Sequence, residues 1–412
     1  MALQILIEEY EEKIWAVAIN KGKLEGIEID PINEPVRYGS IFYAKVTRID
    51  AALDAAFLDL DGYNTGILFN KDVRTTDKDG NVHKDCQQAV GKTLSPGDMV
   101  AVQAKSAYIA GQDALWLEES KTPRMSMDIT LPGRYLIYSA MIRDNIISKR
   151  VRNKKLRKRI QKMIASLEDM QGFILRSAAA GIQTDILRRE AKILRSIWDT
   201  FDEYFSKSEP TLVMQGPNSI QRILGDLATN PIDAIEIVTM DHYEQIEKWC
   251  AVFAPDLMTK IMPIELKHSD ATQDLALLEH RDVLGKIEAL FHDYALLSSG
   301  GNITVEETTA LCSIDVNKGS DTRGKLSINT EAAKEIMRQI RLRNIGGIIM
   351  IDFLRMDKKG QNALLETLKE EIQHDPCTVQ IHGFTKLGLI EATRKRRTPS
   401  LNARCEGIIF PA

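Results

Sequence analysis

Two short apolar segments in the last third of the chain each run into an aspartate. In Leu311-Cys312-Ser313-Ile314-Asp315-Val316-Asn317 the strand period of two puts Asp315 and Asn317 on one face, one pleat apart. In Ile348-Ile349-Met350-Ile351-Asp352-Phe353 the carboxylate closes a run that is apolar on both faces, the pattern of a strand buried by flanking helices. Ligand sites of open α/β sheets gather outside the carboxyl ends of their strands. Two carboxylates and an amide oxygen converging there make a hard, all-oxygen site. Mg2+ suits such a site, held by one or two carboxylates with several waters retained. The competing reading is structural, with two aspartates that cap turns or the helices after them.

Other residues invite chemistry more ambiguously. Lys149-Arg150-Val151-Arg152-Asn153-Lys154-Lys155-Leu156-Arg157-Lys158-Arg159 packs eight cations into eleven residues, and Arg394-Lys395-Arg396-Arg397 is a second cluster. Phosphate backbone is the commonest partner of such patches, and a solvated helix face explains them equally well. Phe57, in Asp54-Ala55-Ala56-Phe57-Leu58-Asp59-Leu60, is either a base-stacking aromatic or a core side chain. The 7 histidines form no H-x-x-x-H or H-E-x-x-H pair. Gly300-Gly301 and Gly346-Gly347 lack the spacing of nucleotide-binding loops, and no G-x-S-x-G offers a seat for acyl transfer. Neither a nucleotide cofactor nor a hydrolase triad is expected.

The elements that must carry these residues can be read along the chain. A length of 412 residues suggests two or three domains, and 44% apolar with 27% charged side chains is the mix of a folded globular protein. The net charge of -4 excludes a global positive field, so any nucleic-acid binding must be local. No apolar run approaches the length of a membrane span, and an N-terminus acidic at Glu8, Glu9, Glu11 and Glu12 is not a signal peptide. The 5 cysteines are scattered without a CxxC, which points to the cytoplasm and to no local disulfide or zinc framework. Residues 3–8 and 14–19 read as a hairpin. Short strands at 40–48, 52–60, 65–69, 99–104 and 114–118, with polar loops between them, suit a small closed barrel such as the OB-fold. A strand at 134–139 leads through the basic segment to helices near 153–170 and 182–206. Helix and strand then alternate from 213 to 254, and a helical stretch runs from Asp270 to Tyr294. A compact α/β unit closes the chain, with strands at 303–307, 310–316 and 348–353 and helices at 330–343 and 360–374.

Several of these segments resemble one known family. Ser313-Ile314-Asp315-Val316-Asn317, Asn329-Thr330-Glu331-Ala332-Ala333-Lys334-Glu335-Ile336, Arg338-Gln339-Ile340-Arg341-Leu342-Arg343 and Ile345-Gly346-Gly347-Ile348-Ile349-Met350-Ile351-Asp352-Phe353 resemble the catalytic core of the ribonuclease E/G family. The likeness extends through Leu387-Gly388-Leu389-Ile390-Glu391 and Thr393-Arg394-Lys395-Arg396 to Pro399-Ser400-Leu401. Upstream, Lys45-Val46-Thr47-Arg48-Ile49 with Asp54-Ala55-Ala56-Phe57-Leu58-Asp59 is similar to the family's OB-type domain. Leu131-Pro132-Gly133-Arg134-Tyr135-Leu136 and Leu175-Arg176-Ser177-Ala178 are similar to its 5′-end sensor. The resemblance implies a multi-subdomain α/β chain. An RNase H-like subdomain (1–35 and 211–272) would carry two insertions, an OB-type RNA-binding barrel (36–125) and a 5′-sensor region (126–210). A DNase I-like catalytic domain (273–412) would follow.

Carried over residue by residue, Asp315 and Asp352 would ligate one catalytic Mg2+, and Asn317 would steady Asp352. Phe57 and Lys121 would contact RNA just beyond the scissile bond; Lys149 and Arg150 are RNA-contact candidates from the charge of the basic segment alone. Gly133, Ile137, Arg176 and Ser177 would form the pocket for a 5′-terminal monophosphate. The implied activity is endonucleolytic hydrolysis of single-stranded RNA to 5′-phosphate and 3′-hydroxyl products, in ribosomal RNA processing and messenger decay. The alternative is an RNA-binding protein that keeps the fold without cleaving, which has no physical need for both aspartates and Asn317. Some motifs depart from the family. Its G-F-L reads Gly66-Ile67-Leu68, which weakens stacking unless Phe69 substitutes. Its D-R-x-R-x-Q reads Asp375-Pro376-Cys377-Thr378-Val379-Gln380, which loses two arginines. Its zinc-linking C-P-x-C, expected after Leu401, is reduced to Cys405, and the scaffold tail of some members is missing. The expectation is therefore no structural zinc, and a monomer or a dimer through a different, metal-independent surface, since a reducing cytoplasm disfavours a Cys405 disulfide.

Overall fold

Alternation of apolar and polar side chains becomes sheet throughout the computed structural model, which describes residues 2–76, 82–84, 88–107, 122–151, 153–167, 169–266, 274–408 and 410. The chain divides into two units, one of residues 1–31, 232–242 and 262–412 and the other of 32–231 with 243–261. Among the described residues no helix is long and apolar enough to cross a membrane.

The first unit begins with the expected hairpin, Leu3–Tyr10 against Lys13–Asn20, extended by a third strand, Lys23–Pro31. That strand was hidden by a register shift between Ala18 and Ile19, although Ile27 and Ile29 keep the period of two. Ile232–Ile237 joins Leu3–Tyr10 in parallel, giving a five-stranded sheet with Ile261–Pro263 at its edge. Trp15, Val17, Leu24 and Ile29 pack with Leu277, Leu278 and Cys405 in one apolar cluster. Buried Glu236 holds Arg281 through two bonds of 2.7 and 2.6 Å. The continuous helix expected after Asp270 does not form among the described residues. Ala276–His280 and Leu284–Glu288 are separate short helices, and Tyr294–Leu296 is a strand. Asp282, at φ 52°, takes the left-handed conformation between the two helices and ends the first.

The same unit contains a six-stranded mixed sheet in the spatial order 294–296, 302–307, 311–317, 347–352, 390–394, 379–384. Ile303, Val305, Ile314, Val316, Ile349 and Ile351 point to one face and pack with Ile328, Ala332, Ile336, Leu364 and Leu368 of the helices Lys325–Leu342 and Lys358–Glu371. The other face is open. Ile348, on that face, is 47% exposed, so the two-sided burial expected of the Asp352 strand is wrong. The topology gives the reason. Both helices belong to crossovers that advance the same way across the sheet, and right-handed crossovers of one direction put their helices on one side.

In the second unit Ile41–Asp50, Ala55–Asp59, Thr65–Phe69, Arg124–Ser126 and Met99–Ala104 close into a five-stranded barrel, because Ile41–Asp50 pairs with both Ala55–Asp59 and Met99–Ala104. Val46, Ala56, Leu58, Leu68, Val102 and Met125 fill it. The sequence signal placed the fifth strand at 114–118, which lies outside the described residues, and Arg124–Ser126 closes the barrel instead. Thr211–Met214 adds to the Ile41–Asp50 strand from outside the ring. A small sheet follows, with Leu136–Tyr138 and Phe173–Leu175 at its centre and Leu131–Pro132 and Ile146–Ile147 at its edges. The helices Lys154–Ile164 and Thr184–Asp199 cover it. Asn153 caps the first helix by accepting from Lys155 and Leu156 N–H, which offsets the cost of starting a helix with cations.

Two buried carboxylates organise backbone in place of cations. Glu8 accepts from Leu277 and Leu278 N–H at 3.0 and 3.2 Å. Glu190 accepts from the amides of Arg134, Tyr135 and Leu136. Burial pushes each carboxyl up to about 7, against the pull of those N–H donors. An acid that holds its proton more tightly when folded stabilises the fold at low pH, and that contribution is lost as pH rises from about 4.5 to 7. Urea midpoints for the wild type should therefore fall between pH 5 and 7, and Glu190→Gln should flatten the fall. An unchanged slope in that variant would contradict this reading of Glu190.

Candidate active site

Asp352 ends its strand and Asp315 lies two residues before the end of the parallel strand beside it, and the two are direct register partners. Partners in a parallel pair point to the same face about 4.8 Å apart, so the two carboxylates stand side by side. Both are exposed, as is Asn317 two residues on. The face was set from behind. Cys312, Ile314 and Val316 alternate with them and sit in the core, so the strand cannot turn over without burying an acid. Asn317 Nδ2 donates to Asp315 Oδ2 at 2.9 Å, so the amide steadies Asp315 rather than Asp352, the partner that the family resemblance suggested.

Asp352 is held from another direction, by a residue that the sequence reading quoted but gave no role. Asn329 is fully buried in the helix Lys325–Leu342. Its side chain bonds both backbone groups of Leu354, donating to the carbonyl at 2.8 Å and accepting from the amide at 3.1 Å. That clamp fixes the chain immediately after Asp352. A polar residue amid the apolar face of a helix was the available signal. The turn after Asn317 is fixed as well. Arg323 binds Asp321 at 2.7 Å and also Glu331, and Glu331 accepts from Ser298 at 2.7 Å. The Ser298 hydroxyl and the Arg323 guanidinium draw the Glu331 carboxyl down to about 2. Gly301 is required there, since a Cβ would lie 2.8 Å from the Asn317 carbonyl oxygen.

Among the described residues no group of three or more His, Cys, Asp or Glu gathers as a metal nest. The donor set at the strand ends is two carboxylates. That set fits a hard divalent ion that keeps most of its waters and does not fit a softer metal that needs nitrogen or sulfur. Lys318 and Arg355, both exposed, follow the two aspartates by three residues each.

On the barrel, Phe57 points outward and is half-buried. Arg48 lies over its ring at 4.0 Å, and Ile67 is its register partner on the next strand. Phe69 lies two residues along the same outer face, under Arg124 at 4.9 Å, so an aromatic remains beside Ile67. Lys121 lies outside the described residues. In the small sheet, Gly133, Ile137, Arg176 and Ser177 come together at one end. Arg176 N–H donates to Tyr135 O, and Arg176 Nη1 donates to Gly133 O at 2.9 Å. Ile137 pairs with Ile174, and Ser177 is exposed at the start of the turn after Arg176. Asp226 lies 3.5 Å from Arg176 and aims it. A Cβ on Gly133 would run into the Glu190 carboxylate, so glycine is obligatory where that carboxylate gathers the loop's amides.

The two basic clusters separate. Lys149, Arg150, Lys154, Lys155, Arg157, Lys158 and Arg159 are exposed, on or beside the helix Lys154–Ile164, while Arg152 lies outside the described residues. The second cluster is largely structural, against its reading as a phosphate patch. Arg394 is buried on Asp375 at 2.9 Å, Arg396 donates to Gly346 O, and Arg397 reaches Glu28 at 3.2 Å. Lys395 alone of the four is exposed. Cys405 is buried with Leu401 and Leu278, and burial pushes its thiol up to about 12. It is a core side chain, which removes it as a surface disulfide partner.

The model of the Ribonuclease E/G family matches residues 130–397. The chain is 28% identical over 413 residues to Ribonuclease G of Salmonella typhimurium (strain SL1344), covering 97% of this chain and 81% of that one. It is similarly 28% identical to Ribonuclease G of Escherichia coli (strain K12) over 416 residues, with the same coverage. Ribonuclease E of the same strain matches at 28% over 424 residues, covering 98% of this chain and 38% of that longer protein. With a family model spanning the small four-stranded sheet and the whole Asp315–Asp352 sheet, this chain belongs to the ribonuclease E/G family.

Proposed function

We propose that the protein is a Mg2+-dependent endoribonuclease that hydrolyses single-stranded RNA to 5′-phosphate and 3′-hydroxyl products. The observation that carries this reading is the in-register pair Asp315 and Asp352, two exposed acids toward the carboxyl ends of adjacent parallel strands. A divalent ion bound there would polarise the scissile phosphate and lower the pKa of the attacking water. The chain's own part is to present both carboxylates without rearrangement. Asn317 restrains Asp315, and Asn329 fixes the backbone beyond Asp352. A fold kept only for binding RNA would gain nothing from exposing two adjacent acids to a polyanion, which argues against the non-catalytic alternative.

On this reading the barrel grips RNA through Phe57 and Phe69 by stacking, with Lys121 and the exposed cations from Lys149 and Arg150 onward adding phosphate contacts. Gly133, Ile137, Arg176 and Ser177 receive a 5′-monophosphate. The meander with its parallel fourth strand supports an RNase H-like subdomain, and the one-sided mixed sheet supports a DNase I-like one. The cytoplasm, ribosomal RNA processing and messenger decay are the setting this activity suits. The buried Cys405 supports an assembly that needs no shared zinc, whether monomer or dimer.

Two outcomes test the reading. Asp315→Asn and Asp352→Asn should each cut single-turnover cleavage of a labelled single-stranded oligonucleotide by several orders of magnitude while its binding persists, since each removes one of only two charged ligands. Near-normal turnover with an unchanged melting temperature would contradict the assignment. The second concerns Thr378, where, on the family resemblance, an arginine adds a charged donor for the 5′-terminal monophosphate. A charge-assisted hydrogen bond contributes about 1.5–3 kcal/mol. The rate advantage of 5′-monophosphorylated over 5′-hydroxyl RNA should therefore be smaller than that of a family member with the full motif, measured on one oligonucleotide. An equal or larger advantage would count against it.

A further inference from the structure

The row of residues that contains the two aspartates continues across the open face of the sheet. Asp352 pairs with Asp315, Asp315 with Thr304, and Thr304 with Tyr294 on the edge strand Tyr294–Leu296. Register partners share a face, so Tyr294 stands on the same side as both acids. It lies two strands from Asp315, about 10 Å at the usual strand spacing. Ala295, between Tyr294 and Leu296, packs toward the core, which confirms the orientation. Tyr294 is 52% exposed and Leu296 is 73% exposed, two large side chains two residues apart on the same open face. Tyr294 is also preorganised. The His292 ring lies against it in an offset parallel stack, with centroids 5.7 Å apart and planes 19° apart, and both residues are exposed.

We propose that His292 and Tyr294 form a stacking subsite for the base of a nucleotide beside the scissile phosphate. The inference rests on the reading of Asp315 and Asp352 as the cleavage site, and it adds a binding residue that neither the family resemblance nor the motifs assigned. Three features select single-stranded RNA as the occupant. The ring is in register with the acids at a distance that a nucleotide can span. Leu296 shares the next row with Asn302 and Asn317, so the apolar surface continues to the rim where the strands end. That rim carries the exposed cations Lys318 and Arg355, whereas one row back Glu306 and Glu391 present carboxylates that repel phosphate. The backbone is thus held at the rim, and a splayed base reaches the ring. An unpaired base offers a bare face, and a ring accepts any base, so the subsite grips without reading sequence.

The test uses the full chain in two assays. Equilibrium binding of a fluorescent single-stranded oligonucleotide is measured on Asp315→Asn alone, with Tyr294→Ala and with Tyr294→Phe. Steady-state cleavage is measured on the wild type and on the two tyrosine variants. Tyr294→Ala should weaken binding and raise KM by about tenfold with little change in kcat, and Tyr294→Phe should stay near the parent. An abasic nucleotide next to the cleaved bond should erase the difference between Tyr294→Ala and its parent. Unchanged binding and KM in Tyr294→Ala would overturn the subsite even if cleavage still depends on Asp315. Unchanged RNA binding accompanied by a fall in the mass measured by light scattering would assign the face to contact between copies and would also overturn it. If Asp315→Asn still cleaves while Tyr294→Ala weakens binding as expected, the metal reading fails and the stacking surface stands.

Discussion

One constraint governs the six-stranded sheet, the register of the parallel strands Leu311–Asn317 and Gly347–Asp352. Side chains alternate with a period of two, so a slip of one residue would send Asp352 into the core and Ile351 to solvent. Cys312 against Ile349 and Ile314 against Ile351, both in the apolar cluster beneath, make that slip expensive. Burying each such side chain contributes about 1.5–3 kcal/mol, and leaving a carboxylate in their place would cost more. The hydrophobic core therefore does more than stabilise this sheet. It aims the two acids, whose placement is set by packing on the opposite face.

Polar groups refine what the core has set, and each does so from a buried or half-buried position. Asn329 satisfies both backbone groups of Leu354, and a truncation there would strand a donor and an acceptor at about 1–3 kcal/mol each. Glu190 performs a similar task in the small four-stranded sheet, collecting three consecutive amides into one loop geometry beside Gly133 and Arg176. Arg394 and Asp375 are a buried pair whose partners cannot be removed singly without leaving a bare charge. Each of these residues is buried or nearly so, and the exposed residues around them take their positions from these contacts.

Much of this was legible in the sequence, for physical reasons. The strand Thr65–Phe69, the strand Met99–Ala104 and the two strands that bear Asp315 and Asp352 could be read because half-buried strands alternate and short apolar runs end at turns. What could not be read depended on tertiary choices. Ile348 and Met350 look like a second buried face, and only the direction of the two crossovers leaves that face open. Arg394 and Arg397 look like a phosphate patch, and only the arrival of Asp375 and Glu28 from elsewhere in the chain turns them inward. The closing barrel strand Arg124–Ser126 is three residues long, too short to carry a period of its own. Asn317 sits equally well beside either aspartate by sequence, and its bond to Asp315 is a matter of rotamer.

The central claim is that Asp315 and Asp352 act as one divalent-ion site. Titrating Mn2+ into the protein and following the free ion by electron paramagnetic resonance tests it without reference to cleavage or to RNA. The wild type should bind one ion in competition with Mg2+, and Asp315→Asn and Asp352→Asn should each abolish that site. Unchanged stoichiometry and affinity in either folded variant would place the ion elsewhere and contradict the account.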